Sequence, residues 1–211
     1  MMAQRIELLF DFVSPNAYLI WQPLRDLAER AGARLDVTAV FLAGMHRLTG
    51  NAPPMIRDAE VKGKNEYAAL EMRRFIARHG LTRFRMHPQF PFNSITLQRM
   101  LFAAGEDGRG AAFVDTMLPA IWEEGLDLTD HEQVAGAIAA GGFDAGDLLA
   151  RAATSKVKDG LAANTDEAVA RGAFGIPTVF VESGADAGTS APRMFFGKER
   201  LGQIDEALAG K

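Results

Sequence analysis

Apolar residues recur at two different spacings at the start of the chain. They alternate with other residues over 6–12 and again over 35–41, a spacing that is typical of β-strands. Between these runs, over 14–31, they recur at the spacing of an amphipathic helix, which Gly32 can end. The pattern therefore predicts a strand, a helix and a second strand at the start of the chain.

The end of the chain shows a second set of strand signals in a different order. An apolar run over 178–182 is followed by a turn rich in Gly, Ser and Ala over 183–191, a short strand over 193–196 and a helix over 199–209. A right-handed crossover pairs the first two strands in parallel, and the last two strands form a hairpin beside them. This α/β order, βαβ followed by ββα, is typical of the thioredoxin-like fold.

The middle of the chain contains repeated helix signals and no convincing strand. Thr129 and Asp130 are candidate N-caps for one of these helices, and Asp144 or Asp147 for the short one after it. We therefore predict two units. Residues 1–43 and 166–211 form a thioredoxin-like domain, and residues 44–165 form a large inserted all-helical domain.

Two short segments, far apart in the sequence, carry the strongest signals of a site. Ser14 is a good N-cap and Pro15 suits the first helical position, so a helix should begin directly after the first strand. The free N–H groups of such a helix start favour an anion. Pro177 directly precedes a strand, where it costs no ladder hydrogen bond, and proline is the residue at which a cis peptide bond occurs. Thioredoxin-like proteins bring such a helix start and a cis-proline loop together, so we predict one site.

The chain has no cysteine. This excludes disulfides, thiolate metal sites and the dithiol chemistry of a disulfide oxidoreductase. The four histidines show no metal-ligand spacing, so no metal site is predicted. Ser14 lies in no Gly-x-Ser-x-Gly motif and has no recognisable base, which argues against a serine hydrolase.

Several motifs match one family in order and spacing over nearly the whole chain. They are Phe10-Asp11-Phe12-Val13-Ser14-Pro15 followed by Tyr18-Leu19, Gly50-Asn51 with Pro54, Lys64-x-x-Tyr67, Trp122-Glu123-Glu124-Gly125, Phe174-Gly175-Ile176-Pro177-Thr178 and Gly197-Lys198-Glu199-Arg200-Leu201. Together they resemble the 2-hydroxychromene-2-carboxylate isomerases. These enzymes belong with the kappa-class glutathione transferases in the DsbA-like thioredoxin superfamily.

The resemblance implies glutathione as the cofactor and Ser14 as the catalytic residue. The Ser14 hydroxyl would hydrogen-bond the glutathione thiolate and lower the pKa of the thiol from a free value of about 8.5. Ile176 and Pro177 would pair, backbone to backbone, with the cysteine of glutathione. The alternative for Ser14 is a helix cap alone, and the alternative for Pro177 is a turn before a buried strand.

Four further residues are implied to contact glutathione. Asn51 would bind the glycine end or its neighbouring peptide, and Lys64 would offset the carboxylates of the ligand. Lys198 and Glu199 would hold the γ-glutamyl group, although the relatives usually have a small polar residue and then aspartate at these two positions. A shifted ligand pose is therefore expected. The alternative for Asn51 is an ordinary turn residue, and the alternative for Lys64 is a solvated charge on a helix. For Lys198 and Glu199 it is a capped helix start with solvated side chains.

For the second substrate, a site lined by Phe12 and Trp122, with Phe92 or Asn93, is expected, since ligand pockets are mostly apolar with a few polar groups. Core packing is the alternative for each of these residues taken singly.

The resemblance implies a glutathione-dependent isomerase that interconverts 2-hydroxychromene-2-carboxylate and trans-o-hydroxybenzylidenepyruvate, or acts on a similar aromatic breakdown product. Two alternatives stay open. One is a kappa-like transferase, in which the thiolate attacks an electrophile and stays attached. The other is a protein that carries glutathione or a peptide without turnover. The relatives also suggest a homodimer.

Charge and the N-terminus bear on partners and compartment. A net charge of −4 and a pI near 5.6 give no general attraction to nucleic acids or anionic lipids, and no apolar run approaches membrane-spanning length. Residues 1–4 lead directly into the first strand, and no secretory signal is visible. We therefore expect a cytoplasmic protein that binds a small aromatic molecule and neither nucleic acid nor membrane.

Overall fold

A computed structural model describes residues 4–182 and 191–210. The elements follow in the order β1 (Arg5–Phe10), α1 (Pro15–Ala31), β2 (Arg34–Ala39), α2 (Leu42–Thr49), α3 (Pro54–Arg57), α4 (Lys64–His79), α5 (Ile95–Glu106), α6 (Gly110–Trp122), α7 (His131–Ala140), α8 (Ala145–Ala152), α9 (Ser155–Ala170), β3 (Thr178–Glu182), β4 (Arg193–Phe196) and α10 (Leu201–Leu208). A 3₁₀ turn, Lys198–Arg200, leads into α10. This order confirms the predicted α/β, thioredoxin-like fold with a helical insertion.

The four strands form one mixed sheet in the order β2-β1-β3-β4. β1 and β2 are parallel and β3 and β4 form an antiparallel hairpin, as predicted, and the structure adds that β3 pairs antiparallel with β1. In the antiparallel register Leu9, near the end of β1, lies opposite Thr178, the first residue of β3. The segments that follow β1 and precede β3 therefore lie at the same end of the sheet.

The ends of α1 have the predicted capping residues. Ser14 is the N-cap and Pro15 occupies the first turn, while Gly32 ends the helix with a φ of 62°. That positive φ is a conformation that glycine adopts without a Cβ penalty, and it lets the Gly32 N–H bond to carbonyls of the last turn. Asp130 and Asp144 are likewise the N-caps of α7 and α8.

Some boundaries differ from the predicted ones. β1 ends at Phe10 rather than at residue 12, because a turn follows in which the Ser14 N–H donates to the Asp11 carbonyl at 3.1 Å. The last helix is shorter than the predicted 199–209, because the 3₁₀ turn forms its start. The predicted turn over 183–191 lies, apart from Ala191, outside the described residues.

The sheet and the inserted helices share one apolar core. The Phe12 and Phe113 rings, from opposite sides of the predicted domain boundary, are both fully buried with centroids 5.9 Å apart. The division into 1–43 plus 166–211 and 44–165 stays a prediction, and its second boundary falls inside α9. Among the described helices, none combines the length and the apolar character needed to cross a membrane.

Candidate active site

Ser14 lies in the turn between β1 and α1 and is 4% exposed. Its backbone is extended, and its Oγ accepts a hydrogen bond from the Ala17 N–H at 3.3 Å. The cap uses a lone pair of the hydroxyl oxygen, which leaves the hydroxyl proton for another acceptor. Ser14 is therefore a cap that can also donate a hydrogen bond to an anion at the helix N-terminus.

The loop before β3 has the predicted cis bond between Ile176 and Pro177. The Pro177 carbonyl accepts a hydrogen bond from the Gly197 N–H at 3.0 Å, and the Thr178 Oγ1 donates to the Gly175 carbonyl at 2.7 Å. No hydrogen bond joins the backbone N–H or C=O of Ile176 to another residue within 4–182 or 191–210. The loop is thus held on both sides of a residue, itself buried, whose backbone polar groups have no hydrogen-bond partner in the described part of the chain.

Asn51 connects the inserted helices to this loop. Its Nδ2 donates to the Phe174 carbonyl at 2.7 Å, while its backbone N–H donates to the carbonyl of His46 in α2 at 3.0 Å. Gly175, which follows Phe174, lies so close to the Phe196 ring that a Cβ would come within 2.9 Å of it. The structure therefore brings the predicted residue Asn51 to the predicted cis-proline loop.

Lys64 is part of a charged cluster that was only partly visible in the sequence. The Lys64 Nζ donates to the Asp58 Oδ1 at 2.8 Å, and the Arg57 guanidinium makes two bonds of 2.9 Å to the same carboxylate. These bonds, those from Arg57 first, hold the pKa of Asp58 well below its usual range. Arg57 also donates to the Asn51 Oδ1 at 3.4 Å. Two cations share one carboxylate, so the cluster keeps a net positive charge beside Asn51.

Lys198 and Glu199 bind to each other. The Lys198 side chain is buried, its Nζ contacts the Glu199 Oε1, and the ammonium lies 5.5 Å from the centroid of the Phe75 ring. The Glu199 side chain is 44% exposed. The ion pair occupies one donor of Lys198 and one oxygen of Glu199, and the predicted contacts of these two residues to the γ-glutamyl group stay a prediction.

Phe12 and Trp122 are completely buried. The Trp122 Nε1 donates to the Phe12 carbonyl at 3.0 Å, and three partly exposed rings surround the indole, with centroids 5.8–6.1 Å away: Phe84, Phe90 and Phe92. Core packing, the alternative reading, accounts for both buried residues, so their role in lining a substrate site stays a prediction. Phe84 and Phe90 had no sequence signal, because both lie in irregular loops.

Asn93 is exposed and supports the start of α5, where its Oδ1 accepts a hydrogen bond from the Ile95 N–H at 3.0 Å. One of its amide oxygen's lone pairs is thus used within its own turn, while its Nδ2 makes no hydrogen bond within the described ranges.

Tyr18, one helical turn after Ser14, belongs to a polar chain that sequence reasoning did not identify. Its hydroxyl donates to the Glu123 Oε1 at 2.8 Å, and the Arg83 Nη2 lies 2.7 Å from the Glu123 Oε2. Burial and the Glu123 carboxylate raise the pKa of Tyr18. The phenol is therefore a neutral donor at physiological pH, and it links α1 to the end of α6.

Asp11 is fully buried beneath the Ser14 turn. Its carboxylate accepts hydrogen bonds from the N–H groups of Val13, at 3.1 Å, and Leu42, at 2.8 Å, and from the Ser94 hydroxyl. Burial raises its pKa to about 6, and the three hydrogen bonds oppose that shift. Asp11 could be recognised beforehand only as part of a family motif, because its burial and its partners depend on the fold.

Two observations limit other chemistries. Within the described part of the chain, no group of three or more His, Asp or Glu side chains could hold a metal ion. A cleft of about 370 Å³ lies between β2, α5 and α9, where Glu7 and Arg171 form an ion pair of 2.7 Å, but it contains none of the predicted site residues. The candidate site is the end of the sheet at which the Ser14 turn and the cis-proline loop lie, with Asn51 bonded to that loop.

Comparison with known proteins identifies the family of the chain. The DSBA-like thioredoxin domain model matches residues 5–209. The 2-hydroxychromene-2-carboxylate isomerase of Sphingobium xenophagum is 30% identical over 212 residues, which cover 98% of this chain and 99% of that protein. The isomerase of the same name from Pseudomonas putida is 28% identical over 96% of this chain and 93% of its own length.

Two further relatives extend the comparison. The human glutathione S-transferase kappa 1 is 25% identical over 98% of this chain and 91% of its own length. A solved 2-hydroxychromene-2-carboxylate isomerase structure superposes with a TM-score of 0.79 at 25% identity, covering 98% of this chain and 95% of that one. The chain therefore belongs to the DsbA-like thioredoxin family and, within it, to the 2-hydroxychromene-2-carboxylate isomerase family of enzymes.

Proposed function

We propose that this enzyme is a glutathione-dependent isomerase that interconverts 2-hydroxychromene-2-carboxylate and trans-o-hydroxybenzylidenepyruvate, or a similar pair of aromatic catabolites. The observation that carries the proposal is the meeting of the Ser14 turn and the Ile176–Pro177 loop at one end of the sheet. One segment offers a hydroxyl donor at a helix start, and the other offers unpaired backbone groups. A peptide-like thiol can use both, the hydroxyl for its thiolate and the backbone groups for its peptide.

Ser14 would stabilise the ionised form of the thiol. When bound, glutathione supplies a thiolate that adds reversibly to a conjugated carbon of the substrate, so that rotation about the former double bond becomes easy. A charge-assisted hydrogen bond from the Ser14 hydroxyl contributes about 1.5–3 kcal/mol, and the N-terminus of α1 adds about 0.3–1 kcal/mol. Together these lower the pKa of a thiol from about 8.5 by about one to three pH units. Ser14 itself forms no covalent bond.

The cis-proline loop and the charged cluster beside Asn51 suit a tripeptide with two carboxylates. The N–H and C=O of Ile176 can pair with an extended backbone in the manner of a β-strand, and Pro177 fixes the loop that presents them. Asn51 borders the same loop, and the net positive cluster of Arg57, Lys64 and Asp58 can offset a ligand carboxylate. Arg57 is thus added to the predicted set.

The aromatic substrate would bind beside this thiol. Phe84 contacts Tyr18, with ring centroids 5.3 Å apart, and Tyr18 lies one turn from Ser14 on α1. Phe84, Phe90 and Phe92 present partly exposed rings that an aromatic catabolite can stack against. Phe12 and Trp122 would support these rings from beneath, and Asn93 would offer its free amide N–H groups at the edge.

The proposal is tested by incubating the protein with catalytic amounts of glutathione and a chromene carboxylate. We expect the ultraviolet spectrum of the substrate to change over many turnovers while the free thiol concentration stays constant. No change with glutathione, or an equal change without it, would contradict the proposal.

A kappa-like transferase is the second candidate, supported by the full-length similarity to the human kappa enzyme. Stoichiometric loss of free thiol with an aryl halide would favour it. Tight glutathione binding without either reaction would instead indicate a carrier protein. We also propose a cytoplasmic homodimer, which sedimentation and fractionation can test directly.

A further inference from the structure

Asp11 joins the three elements that meet below Ser14. Its carboxylate accepts one hydrogen bond from the Ser14 turn, at the Val13 N–H, one from the start of α2, at the Leu42 N–H, and one from the Ser94 hydroxyl before α5. In addition, its backbone carbonyl accepts the Ser14 N–H. The conformation of the Ser14 turn is therefore tied to one buried carboxylate.

Neither N-cap residue of the two neighbouring helices caps its own helix with its side chain. Phe41, the N-cap of α2, has no polar side chain, and Ser94, the N-cap of α5, makes no capping bond to its own helix. Asp11 takes the place of the missing cap of α2 by accepting the Leu42 N–H, and it uses the Ser94 hydroxyl as a donor. Loss of the Asp11 charge would thus loosen contacts on two helices at once.

Gln98 fixes the residues on both sides of Asp11. This fully buried side chain donates from its Nε2 to the carbonyls of Phe10 and Val40, each at 2.7 Å, and its Oε1 accepts the Phe12 N–H at 3.2 Å. With its neighbours held, Asp11 has little freedom to move away when its charge changes. A change of protonation must be absorbed by its three donors.

No cation within 4–182 or 191–210 forms an ion pair with Asp11. The ionisable side chains closest to it along the adjoining elements are His46 and Arg47 on α2, Arg99 on α5 and Tyr18 on α1, and none of them hydrogen-bonds to it. The carboxylate charge is thus stabilised by hydrogen bonds alone. Without a counter-ion, the desolvation free energy of a buried charge is high, and this raises the pKa of the carboxyl.

We propose that the ionised carboxylate of Asp11 is a positioning residue for Ser14, so that isomerase activity requires Asp11 to be deprotonated. This inference rests on the proposed function. Protonation turns one of the two carboxylate oxygens that the three donors share into a hydroxyl group, so that one donor loses its acceptor, and the Ser14 turn then loses its fixed position relative to the cis-proline loop. Because the Asp11 pKa is about 6, activity should rise as the pH increases through that value.

The experiment compares pH profiles of kcat/KM for the parent, Asp11→Asn and Ser94→Ala. Asp11→Asn keeps the shape and removes the titration, so the acid limb near pH 6 should vanish and the neutral-pH rate should fall by about 10- to 100-fold through misplacement of Ser14. Ser94→Ala removes a bond to the charged form. The acid limb of the Ser94→Ala profile should therefore move to higher pH. A purely structural role of Asp11 does not predict such a shift.

Two controls separate Asp11 from other titrating groups. The pKa of His46 is lowered from its ordinary value, mainly by burial, so His46→Asn must retain the acid limb. Glu7, a buried carboxylate four residues earlier with its own partner, Arg171, serves as the matched carboxylate, and Glu7→Gln must retain the limb as well. Loss of the limb in either control, or its survival in Asp11→Asn, would overturn the proposal.

A measurement without ligand keeps the two proposals distinguishable. In the free protein, the amide signals of Val13, Ser14 and Leu42 should titrate together with a midpoint near pH 6, and Ser94→Ala should raise that midpoint. If these signals titrate but no isomerase activity is found, the proposed function fails and the coupling of Asp11 to Ser14 stands. If they do not titrate, Asp11 does not position Ser14, whatever the activity.

Discussion

The side-chain amide of Asn51 donates a hydrogen bond of 2.7 Å to the backbone carbonyl of Phe174, across 123 positions of the chain. It joins the end of α2 to the loop that contains the Ile176–Pro177 cis bond. The inserted helices therefore hold the loop in which the thioredoxin-like part presents its backbone groups.

Asn51→Ala should weaken glutathione binding while leaving the fold intact. Loss of one hydrogen bond is worth about 1 kcal/mol, which corresponds to about a fivefold rise in Kd. Calorimetric titration measures it, with Asn65→Ala as the control, since Asn65 makes a similar bond to the Met55 carbonyl at 3.2 Å within the helical segment. Equal Kd values for parent and Asn51→Ala would show that this bond does not support the ligand.

Removing the charge of Lys198 and removing the charge of Glu199 should change the stability of the protein by different amounts. Lys198→Met keeps the buried stem against Phe75, while Glu199 can be solvated, so stability should stay within about 1 kcal/mol of the parent. Glu199→Gln leaves a buried ammonium without its carboxylate and should cost about 1–2 kcal/mol, less than for a fully buried pair because Glu199 is partly exposed. Urea unfolding compares them, and a larger loss in Lys198→Met would contradict this order.

Local signals made the frame of the site predictable. Ser14, Pro15 and Gly32 act through their own backbone preferences, so the start and the end of α1 followed from the sequence. The proline before β3 was equally readable, because its effect concerns only the adjacent bond. The parallel pairing of β1 with β2 followed from a connection rule that depends on chirality rather than on particular side chains, whereas the position of β3 beside β1 did not.

Contacts between distant segments could not be predicted in the same way. The bonds from Asp11 to Leu42 and from Gln98 to Phe12 span 31 and 86 positions, and no periodicity reports on them. Lysine is usually a surface residue, yet Lys198 is buried, because its ammonium pairs with the Glu199 carboxylate and lies over the Phe75 ring. Arg57 was overlooked because its role depends on Asp58 and Asn51 together.

The unfolding free energy of the protein should depend on pH through the titration of Asp11. Its folded-state pKa, about 6, lies above the ordinary value of 3.8, so the folded chain binds this proton more tightly than the unfolded chain does. Relative to Asp11→Asn, the parent should therefore lose about 3 kcal/mol of unfolding free energy as the pH rises from below 4 to above 6. Denaturant unfolding of both proteins across this range measures the difference, and a difference that is independent of pH would contradict the buried, titrating carboxyl.

Two helix caps in this protein allow the chemistry of Ser14 to be separated from its structural role. Thr154 caps α9 with an Oγ1 that accepts the Val157 N–H at 3.3 Å, the same distance as in the Ser14 cap. Ser14→Ala and Thr154→Ala should each cost about 0.5–2 kcal/mol of stability. Only Ser14→Ala should also reduce the isomerase rate, by about 10²-fold or more, as expected for loss of a donor to a developing anion. Turnover assays at saturating glutathione compare them.

The most direct measurement is a pH titration of the thiolate ultraviolet absorbance of glutathione bound to the parent, to Thr154→Ala and to Ser14→Ala. We expect the bound thiol to have a pKa well below the free value of about 8.5 in the first two proteins and a pKa that returns towards 8.5 in Ser14→Ala. Bound glutathione whose thiol pKa is the same in the parent and in Ser14→Ala would contradict the role of the Ser14 hydroxyl in stabilising the thiolate.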